Sequence, residues 1–394
     1  MRVRPSGVRD HPDTRVPRSF RFWTPGCVLA RRADHPSPRR EPEHPVNTRR
    51  PPLLSASGLS VTYGGSVTAV CEVDLEVAEG ETLALVGESG CGKSTLGRAL
   101  LRLEPASAGT ITFAGTDISR LSRAGLRLAR ADMQMVFQDP MGSLNPRRSI
   151  GAIIAEPLRQ TRGVSVADAL RRARELLERV GLSASMADRR PHEFSGGQRQ
   201  RIGIARALAS SPRFIVADEP VSALDVSVQA QVINLLGDLT RQENLTMVFI
   251  SHDLGVVRHV ATRVAVMYLG QIVEIADRDD FFAGPEHPYS EALLSAVPAL
   301  RGDPSEVVRE RIVLRGELPN PAAPPAGCRF NTRCAYATDL CLTETPALRE
   351  ITEGRMVRCH FPASDPDGRA VAAVDRDEDP IEHTAISSPT KEIA

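Results

Sequence analysis

The sequence predicts an α/β fold with a mostly parallel β-sheet, helices on both faces of the sheet and a helical insertion. Two observations carry this prediction. An apolar strand, a glycine-rich loop and a helix follow one another over residues 82–103, and strand, helix and strand return over residues 214–250. This alternation is typical of parallel sheets covered on both sides. Between the two segments, residues 139–210 have apolar side chains at helical spacing, which predicts the insertion.

The 394 residues are predicted to form one large domain with appendages. Residues 1–52 are rich in Arg and Pro, which predicts disorder; a basic arm for lipid headgroups or nucleic acid, or a start codon assigned too early, are the alternatives. The main domain is predicted at 53–300, beginning with antiparallel strands at about 59–77. A carboxy-terminal extension is predicted at 301–361, and a disordered acidic tail at 362–394.

The formal net charge is zero, with 49 basic and 49 acidic side chains, which argues against a strongly basic nucleic-acid binder. Nearly all basic residues are Arg, as is typical of a GC-rich genome, and the two lysines are Lys93 and Lys391. No apolar run approaches the roughly 20 residues that span a bilayer, and the amino terminus lacks the apolar core of a signal peptide. We therefore expect a cytosolic protein whose seven cysteines are thiols or metal ligands.

Residues 87–95 match the glycine-rich pattern that cradles phosphates between a strand and a helix. Backbone N–H groups of such a loop bind phosphate oxygens, helped by the positive end of the following helix. We expect Lys93 to place its charge between the β- and γ-phosphates, and Ser94 to be a Mg²⁺ ligand. Cys91 falls at a variable position of the loop and is predicted to be structural. The predicted nucleotide-binding residues of this phosphate loop are Gly87, Glu88, Ser89, Gly90, Cys91, Gly92, Lys93, Ser94 and Thr95.

Three further predicted strands end in polar side chains suited to phosphoryl transfer. One apolar strand ends in Asp218, which we expect to bind Mg²⁺, and Glu219, which we expect to act as the general base that orients the attacking water. Gln138 follows another strand, where its amide can reach Mg²⁺ or that water. His252 follows a third strand, where an imidazole can hydrogen-bond the γ-phosphate. Ligands of such sheets bind at the carboxyl ends of the strands, so these side chains are expected at one site.

Seven motifs in this order resemble the ATP-binding subunit of an ABC transporter over residues 53–300. They are the adenine-stacking Tyr63, the Walker A loop 87–95, the Q-loop Gln138, the signature Ser195-Gly196-Gly197-Gln198 after Phe194, the Walker B carboxylates Asp218 and Glu219, the D-loop 222–225 ending in Asp225, and the switch His252. The resemblance implies an active ATPase. It also implies a RecA-like P-loop NTPase core with an antiparallel β subdomain and a helical subdomain.

The resemblance implies in addition that the signature of one chain faces the γ-phosphate bound by a second chain. Ser195–Gln198 stand where a helix is predicted to begin, and a helix N-terminus is an anion site. Capping of that helix by Ser195 is the purely structural alternative, and it uses the same geometry. The working unit is therefore expected to be a pair of ATPase subunits.

A narrower resemblance is to the dipeptide and oligopeptide importer subfamily. It depends on residues 136–140 and 143–146, on His287-Pro288-Tyr289-Ser290, on Gly316-Glu317-Leu318-Pro319, and on the last four cysteines. The resemblance implies peptide import at the cytoplasmic face of the membrane. It further implies two permease subunits, an extracytoplasmic solute-binding protein, a related but different second ATPase, and no nucleic acid.

Two other functions stay open at this point. Import of nickel or another small solute is the alternative within the subfamily, because nothing in an ATPase subunit reads the cargo. A soluble ABC ATPase acting on nucleic acid or ribosomes is the distant alternative. Such proteins often have two cassettes or a long coiled coil, whereas this sequence has one set of motifs and no heptad run.

Four cysteines lie within about thirty residues near the carboxy terminus, which predicts a metal site in a reducing compartment. They are Cys328, Cys334, Cys341 and Cys359. The paired C-x-x-C knuckle of many zinc sites is absent from them, and iron–sulfur clusters accept irregular spacing. The subfamily resemblance implies a [4Fe–4S] cluster, with zinc and free thiols as the alternatives.

Overall fold

The structure, a computed structural model, describes residues 51–222, 224–297, 310–314 and 316–369. The predicted disorder of residues 1–50 and 370–394 lies outside these ranges.

The strands of the described residues are β1 (Pro52–Tyr63), β2 (Val67–Ala78), β3 (Thr82–Val86), β4 (Ala108–Phe113), β5 (Thr116–Asp117), β6 (Met133–Val136), β7 (Phe214–Asp218), β8 (Thr246–Ile250), β9 (Arg263–Tyr268), β10 (Gln271–Asp277), β11 (Arg349–Thr352) and β12 (Arg355–Val357). The α-helices are α1 (Lys93–Leu100), α2 (Arg123–Ala129), α3 (Pro140–Ser143), α4 (Ile150–Arg162), α5 (Val166–Arg179), α6 (Gly196–Leu208), α7 (Val226–Glu243), α8 (Leu254–Val260), α9 (Arg278–Ala283), α10 (Pro288–Ser295) and α11 (Asp339–Thr343). Short 3₁₀ helices lie at Ala184–Asp188, Pro191–Glu193 and Asn331–Arg333.

The larger sheet has eight strands in the order β11-β12-β10-β9-β3-β8-β7-β6. Strands β9, β3, β8, β7 and β6 run parallel, and β10, β12 and β11 continue the sheet in antiparallel fashion. Every residue of β3, β7 and β8 is buried, as expected for strands covered on both faces. The predicted mostly parallel core is therefore confirmed.

The smaller sheet is antiparallel, with the strand order β2-β1-β4-β5. It forms the predicted antiparallel β subdomain, and its apolar side chains share one core with α1 and with Leu83 and Leu85 of β3. The alternate residues Ala84 and Val86 belong to a second core with the inserted helices. Successive side chains of a strand point to opposite faces, so β3 joins both cores and carries the phosphate loop at its end.

The inserted helical region runs from α3 to α6, residues 140–208, close to the predicted range 139–210. Helix α5 faces the second core with Ala169, Ala173, Leu176 and Leu177. None of the helices in the described ranges is long and apolar enough to cross a membrane.

The carboxy-terminal extension is joined to the main domain by shared β-structure. Strand β12 pairs with β10 through Glu274↔Val357 and Ile275↔Met356, and so lengthens the main sheet. Ordered structure continues past the predicted end of the extension at residue 361. The Arg369 guanidinium pairs with Glu291 and lies 4.8 Å from the centre of the Tyr336 ring, and these contacts hold residues 362–369 against the domain. The predicted start of the disordered tail, residue 362, therefore lies before the end of the described structure at residue 369.

Candidate functional site

The phosphate loop joins β3 to α1, and two of its positions require glycine. Gly87 has φ 150°, and a Cβ there would lie 2.2 Å from the Met267 carbonyl oxygen. Gly92 has φ 107°, and its Cβ would lie 2.1 Å from the Ala69 carbonyl oxygen. Glycine alone allows this backbone conformation and this close approach. The loop then leads into the N-terminus of α1, where the first N–H groups lack acceptors within the helix and can bind an anion.

Lys93 holds a positive charge inside the loop. Its Nζ donates to the carbonyl oxygens of Gly87 and Glu88 at 2.8 Å each, and the residue is only 5 % exposed. Those hydrogen bonds satisfy the buried ammonium group. The role of Lys93 as a fixed charge for the phosphates stays a prediction. Around it, Ser89 and Gly90 are exposed, and Thr95 is half-buried on α1.

Ser94 and Asp218 meet beneath the loop, as a Mg²⁺ site requires. The Ser94 Oγ donates to Asp218 Oδ1 at 2.7 Å. Asp218 is 1 % exposed, and burial raises the pKa of its carboxyl group. Its Oδ2 has no hydrogen-bond partner, and the Arg98 Nη2 is 3.9 Å away. A buried carboxylate with an unused oxygen favours a nearby cation, so the predicted Mg²⁺ ligands Ser94 and Asp218 fit that ion.

Gln138, Glu219 and His252 come together at the carboxyl edge of the main sheet, and we call them the catalytic edge. The Gln138 Nε2 donates to Glu219 Oε2 at 2.9 Å, and His252 Nδ1 lies 3.2 Å from Glu219 Oε1. Glu219 follows β7 with φ 44°, a conformation that costs a non-glycine residue free energy and is common at active sites. Its N–H donates to Ile250 O at 3.0 Å, which ties the end of β7 to the end of β8. The predicted convergence of these three side chains is observed.

The signature residues begin α6 in a capping box. The Gln198 N–H donates to Ser195 Oγ at 3.4 Å, and the Ser195 N–H donates to Gln198 Oε1 at 3.0 Å. Ser195 and Gly196 are exposed, and Phe194 before them is buried in the second core. Gly197 faces α7, since a Cβ there would lie 2.4 Å from Val228 Cγ1. The capping alternative is thus observed, and it leaves an exposed helix N-terminus of the predicted kind.

The remaining predicted nucleotide-site residues lie at element ends or in the core. Tyr63 is the last residue of β1 and is 39 % exposed, so its ring is accessible to a stacking partner. Asp225 caps α7 through its carbonyl, which accepts from the N–H groups of Val228 and Gln229. Cys91 is 1 % exposed and packs in the core that contains α1, and burial raises the pKa of its thiol.

The four carboxy-terminal cysteines line one pocket, which we call the cysteine pocket. Its other walls include His287, Phe330 and Phe361. Cys334 and Cys341 are buried, and Cys328 and Cys359 are half-buried. Burial raises the pKa of Cys359 to about 12 and also raises that of Cys328. Thiolates in such surroundings need a compensating positive charge.

Backbone groups of the pocket are arranged to stabilise thiolates. The Tyr336 N–H donates to Cys334 Sγ at 3.4 Å. Burial raises the pKa of Cys328 and Cys359, and the nearby N–H groups of Phe330 and Phe361 partly oppose that shift. Hydrogen bonds to sulfur are one of the means by which proteins tune iron–sulfur clusters. No set of three or more His, Cys, Asp or Glu side chains in the described ranges is placed to hold one metal ion.

Two residues at the phosphate loop were not predicted from the sequence. The Arg333 guanidinium makes two bonds to the Glu88 carboxylate, and the Tyr289 hydroxyl accepts from the Glu88 N–H. Tyr289 belongs to the His287–Ser290 motif, which was interpreted only as a mark of the subfamily. Arg333 lies 245 residues from Glu88, and nothing in the sequence points to that pair.

Comparisons with known proteins agree with this geometry. The family profile described as ABC transporter matches residues 70–222, and that described as Oligopeptide/dipeptide transporter, C-terminal region, matches residues 273–341. The Oligopeptide transport ATP-binding protein AppF of Bacillus subtilis (strain 168) is 54% identical over 306 residues, 77% of this chain and 93% of AppF. The Putative oligopeptide transport ATP-binding protein YkfD of the same strain is 51% identical over 319 residues, 79% of this chain and 96% of YkfD.

Solved structures are similar over the ATPase domain. The dimeric ATP-binding cassette MJ0796, in a post-hydrolysis state with ADP and Pi, is 29% identical with a TM-score of 0.53, and the match covers 57% of this chain and 98% of that one. CbiO1 from Clostridium perfringens, part of the ABC transporter complex cbiONQ, is 26% identical with a TM-score of 0.53, covering 59% and 91%. Because full-length relatives, both profiles and the catalytic geometry agree, the chain belongs to the ATP-binding subunits of ABC transporters, in the oligopeptide and dipeptide branch.

Proposed function

We propose that this chain hydrolyses ATP to power import of dipeptides or oligopeptides through separate membrane permease subunits. The observation that carries the proposal is the catalytic edge, where Glu219 is contacted by Gln138 and His252. The peptide cargo is supported by the match of residues 273–341 and by the names of the relatives.

The chemistry follows from the groups around the phosphate loop. The loop and Lys93 bind the phosphates of ATP, and Tyr63 stacks on its adenine. Mg²⁺ held by Ser94 and Asp218, with Gln138 nearby, would neutralise charge on the phosphate oxygens. Glu219 accepts a proton from the attacking water, and His252 hydrogen-bonds the γ-phosphate.

Both carboxylate oxygens of Glu219 have a neighbour in the structure, Gln138 Nε2 on one and His252 Nδ1 near the other. A carboxylate oxygen has two lone pairs, so each of these oxygens can still accept a hydrogen bond from the attacking water. In this proposal, the contacts with Gln138 and His252 orient the carboxylate for that role.

The active form is a dimer in which Ser195–Gln198 of one subunit contact the γ-phosphate held by the other. The exposed N-terminus of α6 supports this role, because N–H groups at a helix start attract anions. Asp225 lies at the start of α7, next to the same interface. We propose that the second subunit is a related but different chain.

The cysteine pocket holds a [4Fe–4S] cluster in this proposal. The support is the set of four thiols around one pocket and the N–H group of Tyr336, which donates to Cys334 Sγ. Iron and acid-labile sulfide should be measured in protein purified without oxygen. About four of each per chain is expected, whereas stoichiometric zinc without sulfide would contradict the cluster.

The remaining partners are two permease subunits and an extracytoplasmic solute-binding protein, with this chain bound at the cytoplasmic face of the membrane. The surface near Gln138 and residues 139–160 would transmit closure of the ATPase dimer to the permeases. Gln138 and Phe137 are exposed at the entrance to the inserted helical region, which supports this assignment.

Uptake measurements test the proposed cargo. Cells that lack the gene should take up labelled dipeptides again when the wild-type chain is restored, and should fail to do so with Glu219→Gln. A matched Glu76→Gln variant, changed at an exposed position of β2, should restore uptake fully. Restoration of nickel uptake without any effect on peptides would overturn the peptide assignment and leave the ATPase role in place.

A further inference from the structure

Glu88 of the phosphate loop is held by the carboxy-terminal part of the chain. The Arg333 Nη1 lies 2.8 Å from Glu88 Oε2, and its Nη2 lies 3.1 Å from Glu88 Oε1, so the guanidinium and the carboxylate form a two-point pair. The Arg333 side chain is 7 % exposed and that of Glu88 is 29 % exposed. Paired bonds of this type fix orientation as well as charge.

The backbone of Glu88 is fixed at the same time. Its N–H donates to the Tyr289 hydroxyl at 2.8 Å, and its carbonyl accepts from the Lys93 Nζ at 2.8 Å. The Tyr289 ring packs on Tyr268 and Phe330, with ring centres 4.7 and 5.4 Å away. Side chain, N–H and carbonyl of Glu88 therefore all have partners, two of which come from the region after the ATPase motifs.

These contacts also connect the loop to the cysteine pocket. Arg333 ends the 3₁₀ helix Asn331–Arg333 and directly precedes Cys334. Phe330 and Asn331 of the same segment line the pocket. The Asn331 side chain donates to the Cys341 carbonyl at 3.2 Å, and the Cys328 N–H donates to that carbonyl at 2.8 Å. The position of Arg333 is thus fixed by the packing of the cysteine segment.

We propose that Arg333, assisted by Tyr289, is a positioning residue of the phosphate loop, through which the cysteine-bearing extension holds that loop in its ATP-binding form. Arg333 acts through Glu88 and does not touch the nucleotide. It has two effects: it fixes the backbone that accepts from Lys93, and it neutralises a carboxylate that would otherwise repel the phosphates of ATP. The proposal depends on the assigned ATPase role and applies whichever solute is transported.

Nucleotide affinity tests the proposal in a Glu219→Gln background, where turnover does not disturb binding. Titration of the whole chain with a fluorescent ATP analogue and Mg²⁺ should show about tenfold weaker binding for Arg333→Met. The nucleotide affinity of Arg333→Lys should lie between those of the parent protein and Arg333→Met, because lysine keeps the positive charge and lacks the planar guanidinium. In the hydrolysing protein, the KM for ATP should rise with little change in kcat, since ground-state binding is affected.

A second change separates positioning from general stability. Glu88→Gln added to Arg333→Met removes the unpaired carboxylate and should restore part of the lost affinity, because the repulsion of the phosphates is gone while the loop still lacks the contact with Arg333. The matched control is Arg369→Met, which breaks another well-buried Arg–Glu pair of the same region whose described contacts do not include the phosphate loop. It should lower the thermal midpoint with unchanged nucleotide affinity.

Three outcomes would overturn the proposal. One is unchanged affinity in Arg333→Met. Another is failure of Glu88→Gln to restore binding. The third is an equal loss of affinity in Arg369→Met. If Arg333→Met does not fold, Arg333→Lys and Tyr289→Phe carry the same test, and unchanged affinity in both overturns the proposal. These measurements use nucleotide alone, so a failed transport assay and a failed Arg333 test remain distinguishable.

Discussion

The catalytic edge and the cysteine pocket lie on the two sides of the phosphate loop, and they differ in accessibility. At the edge, His252 has a side chain that is 60 % exposed, and Gln138 is exposed as well. In the pocket, Cys334 and Cys341 are 8 % and 6 % exposed and are packed among aromatic rings. The edge is therefore open to ATP and water, whereas these two cysteines are shielded from solvent.

The two regions affect the phosphate loop by different means. In the proposed mechanism, the edge supplies the groups that orient water and hydrogen-bond the γ-phosphate, and a second subunit completes the site. The pocket supplies no reacting group, and it acts on the loop through the contact between Arg333 and Glu88. Changes at the edge should therefore alter turnover, whereas changes at the pocket should alter binding or stability.

The largest expected effect is at the edge. Glu219→Gln keeps the size of the side chain and removes the base, so hydrolysis should fall by about 10²–10⁴-fold. Binding of ATP should be retained, because the loop and Lys93 are untouched. Phosphate release and equilibrium binding measured on the same sample check both statements. Normal hydrolysis would exclude Glu219 as the base.

A smaller effect is expected at the pocket. Cys334→Ser should remove bound iron and sulfide and lower the thermal midpoint by about 5 °C, because a resident group that binds only the folded chain stabilises it. Cys71→Ser, at a half-buried thiol of β2 outside the pocket, is the control and should retain the metal content of the wild type. Equal metal content in Cys334→Ser would remove this cysteine from the ligand set.

The smallest effect on stability is expected for a change in the signature. The same change should have a selective effect on association of the ATPase subunits. Ser195→Ala removes a helix cap and should cost about 1 kcal/mol of unfolding free energy. Ser165 caps α5 in the same way, accepting from the Asp168 N–H at 3.2 Å, so Ser165→Ala should cost a similar amount. Only Ser195→Ala should weaken ATP-driven association of subunits, which sedimentation of the Glu219→Gln protein would measure. Equal association of the two variants would speak against a shared site.

The catalytic edge could be predicted from the sequence because its residues follow short apolar strands. The apolar runs that form β6, β7 and β8 are each followed within two residues by a polar side chain of the edge. These side chains are Gln138 after β6, Glu219 after β7 and His252 after β8. Parallel neighbours must bring such ends together, so the site follows from the strand pattern. The glycine pattern of residues 87–95 was equally informative, because few sequences satisfy the backbone conformations of that loop.

The contacts of the extension could not be predicted in this way. Strands β11 and β12 are short and half-exposed, so they lack the apolar pattern that marked the core strands. The pair of Arg333 and Glu88 depends on how the cysteine segment folds back over the main sheet, and sequence spacing has no information on that. Arg369 likewise follows the predicted boundary, and its contacts come from tertiary packing alone.

The coupling between the two regions is tested most directly by a thermodynamic cycle. The affinity for Mg²⁺ and ATP would be measured in the Glu219→Gln protein before and after removal of the proposed [4Fe–4S] cluster, with Arg333 present and with Arg333→Met. We predict that removal weakens binding by about tenfold when Arg333 is present and has little further effect when it is replaced. An equal loss of affinity in both proteins would show that the pocket does not act on the phosphate loop through Arg333.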